Sequence, residues 1–344
     1  MKNKKYKKRS SKASLIIKVS LLLVASLAIC VTAYGVYLTK QVKHAADSAH
    51  EKLEGREVSA LRESKVEPIK DNVSILFVGV DDSDNRGQGS DHSRSDALVL
   101  ATLNNKTHTI KMLSIPRDSY VYIPKVEYKD KITHAHAMGG TLTTIKTVEE
   151  LLDIPIDYYV RMNFNAFIDV VDALGGIEAE VPYALHELDE FDKFTINLEP
   201  GMQHLNGSEA LALARTRKQD SDIERGKRQQ EILSAIINKV SSVGSISKYD
   251  DVINALGNNM KTDMTFDEMK SFLSYLTKGV PRIDTLNLEG TDDMSTGVYY
   301  YQLDPASVNE VKETLQNHLG LDENSSSLTN NDTDSDSSEE TSVN

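Results

Sequence analysis

Two groups of charged side chains carry most of the chemistry that can be read from this chain, which has 39 basic against 52 acidic residues. The denser group is Arg215-Thr-Arg217 followed by Asp222-Ile-Glu-Arg225-Gly-Lys-Arg228-Gln229. Two positions apart on extended backbone, Arg215 and Arg217 point the same way. At i, i+3 and i+4, Arg225, Arg228 and Gln229 share one face of a helix in its first turns, where unpaired N–H groups and the helix dipole also favour an anion. Arginine is the side chain suited to bidentate phosphate binding. Several guanidiniums in an acidic chain therefore point to a di-anionic or pyrophosphate ligand. The second group is Asp81, Arg94, Asp96 and Arg117. Two carboxylates beside bound phosphate could hold Mg²⁺, a hard cation that takes a few carboxylates plus phosphate oxygens. Taken singly, each arginine also reads as a surface ion-pair partner, and Asp81-Asp82 also reads as a turn cap. His134 and His136, two apart and without further ligands in sequence, give little support to a zinc site.

These groups need elements to bring them together. The apolar patterns alternate between strand and helix, which favours an α/β sandwich, a central mixed sheet flanked by helices. Val73–Val80 (VSILFVGV) reads as a buried strand, so Asp81 follows its C-terminal end, the edge where open α/β sheets bind ligands. Ala97–Leu103 and Thr109–Ile115 form a plausible hairpin across Asn-Asn-Lys. A hairpin sets the start of one strand beside the end of the next, so Asp96 and Arg117 should share an edge, with Arg94 beside Asp96. Thr141–Leu152 and Asn165–Leu174 have helical periodicity, Leu205–Arg215 starts helical, and Asp222–Val240 is a longer helix. On that helix Ile232, Leu233, Ile236, Ile237 and Val240 form one apolar stripe. Thr265 and Glu268 make a capping box, with Met264 and Met269 as a hydrophobic staple.

The ends of the chain set the topology. Residues 2–12 carry seven basic groups and no acid, and Leu15–Leu38 is almost wholly apolar. As a helix those residues reach roughly 36 Å, enough to cross a hydrocarbon core. The run is longer than a cleaved signal peptide's apolar region. It predicts a signal-anchor with the N-terminus in the cytoplasm and the rest outside the cell membrane. The predicted divisions are a basic cytoplasmic segment 1–13, a membrane anchor 14–38, an extracellular stalk 39–71, a catalytic domain 72–320 with its core motifs in 73–240, and a disordered acidic tail 321–344. The single cysteine, Cys30, falls in the membrane span, so no disulfide supports the exterior part. Without the seven N-terminal basic groups the net charge falls from −13 to −20, which argues against nucleic acid as a partner.

In order and spacing, the same residues resemble the LytR–CpsA–Psr family. Ile75–Asp81 (ILFVGVD) is similar to its first strand, Ser93–Asp96 (SRSD) to its Arg-Ser-Asp element and Ser114–Asp118 (SIPRD) to its Ser-Ile-Pro-Arg-Asp element. Lys131–Gly140, Val170–Gly176, Leu205–Leu211, Arg215–Arg217 and Asp222–Gln229 complete eight collinear blocks. The resemblance implies a hydrophobic tunnel for a polyprenyl chain with the pyrophosphate at its mouth. By position, Arg94, Arg117, Arg215, Arg217, Arg225 and Gln229 contact or organise the pyrophosphate, with Arg228 in support. Asp81 and Asp96 hold Mg²⁺ or Mn²⁺. Asp118 orients Arg117 or helps activate the acceptor, and Arg94, Arg117, Asp118 and Arg217 are the expected catalytic set. The tunnel is expected to be lined by the apolar faces of helices around 141–174 and 229–240, faces that read equally as ordinary core.

The implied activity is transfer of a glycopolymer from a polyprenyl-pyrophosphate carrier to a peptidoglycan hydroxyl, releasing polyprenyl phosphate. The rival readings are a polyprenyl-pyrophosphate hydrolase using water at the same site, a non-catalytic lipid carrier, and a membrane-bound regulator of envelope genes. The last is disfavoured by a cytoplasmic segment too short to fold into a DNA reader.

Overall fold

The computed structural model describes residues 37, 40–41, 43–80, 93–189, 191, 193–216, 221–242, 260–277 and 279–321. Asp81, Arg217, the acidic tail beyond Leu321 and, apart from Tyr37, the apolar run from Leu15 to Leu38 lie outside them. Among the described residues no helix is long and apolar enough to cross a membrane.

The scaffold is a six-stranded mixed sheet. From one edge to the other its strands are β11 (Met260–Thr262), β6 (Tyr158–Met162), β1 (Val73–Val80), β2 (Ser95–Asn104), β3 (Thr109–Ser114) and β12 (Arg282–Asn287). β1 pairs antiparallel with β2 and parallel with β6, while β2 and β3 form the expected hairpin, closing at Asn104 opposite Thr109.

Alternation along the strands divides the aliphatic side chains between two faces. Leu76, Val78, Leu98, Leu100 and Leu113 pack on one face, against α1 (Ile132–Leu152) and α6 (Pro305–Leu319). Val73, Ile75, Val99, Ala101, Ile110 and Met112 project from the other, towards α4 (Asp222–Ser241) and α5 (Phe266–Thr277). A third cluster joins α2 (Phe164–Ala173) and α3 (Gly207–Arg215) to two small antiparallel pairs. These pairs are β7 (Ile177–Val181) with β10 (Gly201–Leu205), and β8 (Leu185–Leu188) with β9 (Phe194–Leu198). Two further hairpins lie near the end of β3: β4 (Tyr120–Ile123) with β5 (Tyr128–Lys131), and β13 (Gly290–Asp293) with β14 (Tyr300–Leu303).

Local sequence accounts for several of these boundaries. Ser221 caps α4 and Asn206 closes a capping box with Glu209 at α3. The Thr265–Glu268 box is also present. α1 begins nine residues before the predicted Thr141 and crosses Gly139-Gly140 as a kink, with Gly140 at φ 66°.

The stalk reading needs correction from Lys43 onward. Ala46, Ala49 and Val66 are buried in the domain, Arg56 forms a two-pronged pair with Glu149 at 2.9 Å, and Arg62 binds Asp157 at 2.7 Å. Polar composition suggested a free segment because the partners of these arginines lie more than 90 residues away in sequence.

Candidate active site

At the C-terminal edge of the sheet, Ile115 donates its N–H to Leu98 O at 2.9 Å and starts a tight turn through Pro116 and Arg117. Thr133 N–H binds the Arg117 carbonyl at 3.0 Å, and Ser119 Oγ binds the Pro116 carbonyl at 2.7 Å. The backbone of Arg117 is therefore fixed from both sides. Its guanidinium forms an ion pair through Nη1 with Asp96 Oδ1, and its Nε lies 3.8 Å from Asp118 Oδ2. The β2–β3 hairpin sets Asp96 and Arg117 on one edge, where they touch.

The second cluster arrives on α4. A Cβ at Gly226 would lie 2.5 Å from Ser114 Oγ, so glycine there lets the first turn of α4 approach the end of β3. Arg225 is thereby brought to the Arg117 edge, buried and paired with Asp222 Oδ1 at 3.0 Å. Arg215, at the end of α3, lies over the Phe164 ring with 4.3 Å between guanidinium carbon and ring centre. Gln229 donates to Ala214 O at 3.3 Å.

These residues surround the mouth of a cavity of about 930 Å³ between the sheet and helices α4 and α5. Arg94, Asp96, Arg117, Arg215, Arg225 and Gln229 form the charged and amide part of its wall at one end. Apart from Asn163 and Thr262, the remainder is apolar: it includes Ile75, Phe77, Val99 and Val160 from the sheet, Phe164 and Phe167 from α2, the whole Ile232–Val240 stripe of α4, and Met269 and Phe272 of α5. Guanidiniums at the rim and hydrocarbon inside suit a molecule with an anionic head and a long apolar tail.

Two expectations change. Arg228 is buried but turned away, donating to the carbonyls of Leu213 (3.1 Å) and Thr216 (2.6 Å), so it braces the end of α3 next to Arg215. The helix predicted over Thr141–Leu152 does not line the cavity: Ile145, Val148 and Leu152 pack on the opposite face of the sheet. Its apolar face is core, whereas the stripe on α4 is wall. Asp81 and Arg217 fall outside the described residues, although Val80 pairs with Ser95, the neighbour of Asp96.

The histidines have ordinary partners: His134 Nδ1 meets Asp130 at 2.8 Å and His136 Nδ1 meets the Ser93 carbonyl at 2.8 Å. Among the described residues no group of three or more His, Cys, Asp or Glu could hold a metal ion.

Behind Arg117 lies a set of contacts that the sequence did not single out by role. Lys131 Nζ binds Asp118 Oδ1 at 2.9 Å. Burial pushes the Asp118 carboxyl up, but hydrogen bonding to Lys131 and Asp222 and the charge of Arg117 outweigh it and hold it below its ordinary value. Asp118 is therefore an anion clamped between cations, suited to orienting Arg117. Lys131 and Asp222 both lie inside the quoted sequence blocks; their types gave no signal that they meet at Asp118.

Taken together, the sandwich, the apolar cavity and its arginine mouth define a protein with a site shaped for an anionic head on a long apolar tail. The LytR_cpsA_psr family model matches residues 36–317, and the chain belongs to that family. Polyisoprenyl-teichoic acid–peptidoglycan teichoic acid transferase TagT of Bacillus subtilis is 42% identical over 317 residues, covering 92% of this chain and 98% of the relative. The structure of TagT bound to LIIa-WTA superposes with a TM-score of 0.69 at 42% identity, covering 79% of this chain and 100% of that one. A LytR-CPS2A-psr family protein, YwtF (TagT), with bound octaprenyl pyrophosphate lipid superposes with a TM-score of 0.65 at 40% identity, with 79% and 100% covered.

Proposed function

We propose that this chain is a phosphotransferase that moves a glycopolymer, of the teichoic acid class, from a polyprenyl-pyrophosphate carrier to a peptidoglycan hydroxyl. The observation that carries this reading is a single cavity whose interior is hydrocarbon and whose mouth holds Arg94, Arg117, Arg215 and Arg225. Relatives named for the transfer, and a solved relative holding octaprenyl pyrophosphate, support it.

The residues divide the work. The apolar wall holds the polyprenyl chain, at about 0.8 kcal/mol for each methylene buried. The arginines grip the pyrophosphate and neutralise charge as it shifts towards the leaving oxygen. The acceptor oxygen attacks the phosphorus that bears the glycan, the bond from that phosphorus to the bridging oxygen breaks, and polyprenyl phosphate leaves, taking up the hydroxyl proton directly or through solvent. Asp118 keeps Arg117 aimed, and no strong base is required for a loose transition state.

Divalent metal fits this mouth. Asp96 offers a hard carboxylate there, engaged by Arg117 through Oδ1, and would be one of the residues to hold a cation. Asp81, with Asp96, would hold Mg²⁺ or Mn²⁺, which when bound supplies further neutralisation of the phosphate oxygens. The apolar run from Leu15 to Leu38 with its basic flank supports a membrane-anchored protein with the site outside the cell.

The test is incubation of the full-length chain in detergent with a defined lipid-linked glycopolymer and peptidoglycan, read by mass spectrometry. A new phosphodiester between glycopolymer and wall sugar is expected. Free phosphorylated glycopolymer, formed equally without peptidoglycan, would instead identify a hydrolase.

A further inference from the structure

The β13–β14 hairpin meets the catalytic turn directly. Tyr301 N–H binds the Asp118 carbonyl at 2.9 Å, and Ser119 and Tyr301 form a parallel bridge. That contact brings three tyrosines beside Lys131. Its Nζ lies 5.6 Å from the Tyr299 ring centre and 5.7 Å from that of Tyr300, and the Tyr300 ring meets Tyr120 edge-on at 4.8 Å. All three rings remain partly exposed. Carboxylates and an amide border them: Tyr299 donates to Asp292 at 2.8 Å, and Gln302 donates to Asp293 at 3.0 Å. None of Tyr120, Tyr299, Tyr300 or Lys131 belongs to the cavity wall.

Ring faces edged by carboxylate acceptors suit a sugar. Its C–H face meets the negative face of an aromatic ring, and its hydroxyls donate to the carboxylates. Two sugars come near this site, one on the donor and one on the acceptor. In-line displacement places the incoming hydroxyl opposite the leaving oxygen, and that oxygen belongs to the lipid in the cavity. The acceptor must therefore stand outside the mouth, away from the cavity, where the tyrosines are.

We infer that Tyr120, Tyr299 and Tyr300, with Asp292 and Asp293, form the subsite that docks the acceptor glycan strand and presents its hydroxyl beside Arg117. The inference rests on the transferase reading for the identity of the acceptor. Its geometry puts the glycan against the ring of Tyr300, with Tyr299 held in place by Asp292.

The test measures binding of a soluble, peptide-free peptidoglycan glycan fragment to the full-length chain in detergent by calorimetry, alongside the Michaelis constants for both substrates. For Tyr300→Ala the glycan Kd and the acceptor KM should each rise about tenfold, the effect of losing one aromatic anchor. The donor KM, and the melting shift produced by polyprenyl pyrophosphate, should stay as in the wild type. Tyr300→Phe keeps the ring and should keep the affinity. Tyr299→Leu provides a second variant and should weaken glycan binding in the same way. Unchanged glycan binding in both Tyr300→Ala and Tyr299→Leu overturns the subsite, as does a rise confined to the donor KM, which would assign the wall to the donor sugar. If the wild type binds the fragment through Tyr300 yet transfers nothing, the subsite stands and the transferase reading fails. If it transfers normally in both variants, the reverse holds.

Discussion

The two faces of the central sheet are built from the same strands and end in opposite states. On one, Leu76, Leu98, Leu100 and Leu113 are closed over by α1 and α6, each of those leucines no more than 1% exposed. On the other, Ile75, Val99, Ala101 and Ile110 face α4 and α5 across a cavity of about 930 Å³. Were that volume an empty void, a cost of ~24 cal/mol per Å³ would put it on the order of 20 kcal/mol, beyond the whole stability of a typical domain. A fold does not keep such a space by accident of packing. One face is there to hold the sheet together, and the other is there to be filled.

If this division is right, truncation on the closed face harms stability and spares chemistry. Leu100→Ala should lower unfolding stability by about 2–5 kcal/mol, read by denaturant titration, with turnover per folded molecule unchanged. A loss of turnover without a loss of stability would break the comparison.

At the mouth of the open face the expectation is reversed. Arg117 meets Asp96, lies close to Asp118 and lines the cavity mouth, and a lysine keeps the charge but cannot serve all three. Arg117→Lys should cut turnover roughly ten- to a hundred-fold, the worth of one charge-assisted hydrogen bond, with little change in melting temperature. Arg217→Lys should behave alike if Arg217 reaches the pyrophosphate.

Smaller effects separate two titrating groups, one buried and one half-buried. His318, on the closed face, bonds to Thr102 and Thr109 at 2.8 Å each, and burial pushes its pKa down to about 4. Its folded pKa lies below its unfolded one, so its contribution is present above about pH 6.5 and is lost as pH falls towards 4. Asp263, where β11 leads into α5, accepts from Tyr159 N–H, and burial raises its pKa to about 6. Because its folded pKa exceeds the ordinary 3.8, its ionisation weakens the fold as pH rises from about 4 to 6. Melting curves should therefore show opposite changes over that range: His318→Gln flattens the acid-side loss of stability, and Asp263→Asn removes the gain that partly offsets it. Identical pH profiles for the two variants would contradict these assignments.

What the sequence revealed follows the range of the interactions involved. The β2–β3 hairpin and the meeting of Asp96 with Arg117 depend on neighbours about 20 residues apart and on strand alternation, and both were legible. The α4 stripe was legible as an apolar face. Whether such a face packs or lines a space depends on what stands opposite, which explains why α1 was expected at the tunnel and lies on the other side of the sheet. The attachment of residues 43–71 was hidden for a related reason, since Arg56 and Arg62 find their carboxylates across the fold. Arg228 shows the limit of spacing arguments: it shares a helix face with Arg225, yet its guanidinium binds two backbone carbonyls at the end of α3 and does not line the cavity.

The central claim, that the open face is the lipid site, is tested most directly by filling it. Ile237 lies on the cavity wall in the middle of the α4 stripe, and Ile237→Trp occupies space without touching the arginines at the mouth. The measurement is the melting shift of the full-length chain on adding polyprenyl pyrophosphate. A ligand at a hundred times its Kd should stabilise the wild type by about 2.7 kcal/mol, and Ile237→Trp should lose most of that gain while its ligand-free melting temperature stays level or rises. Equal stabilisation of both proteins would place the lipid elsewhere and contradict the account.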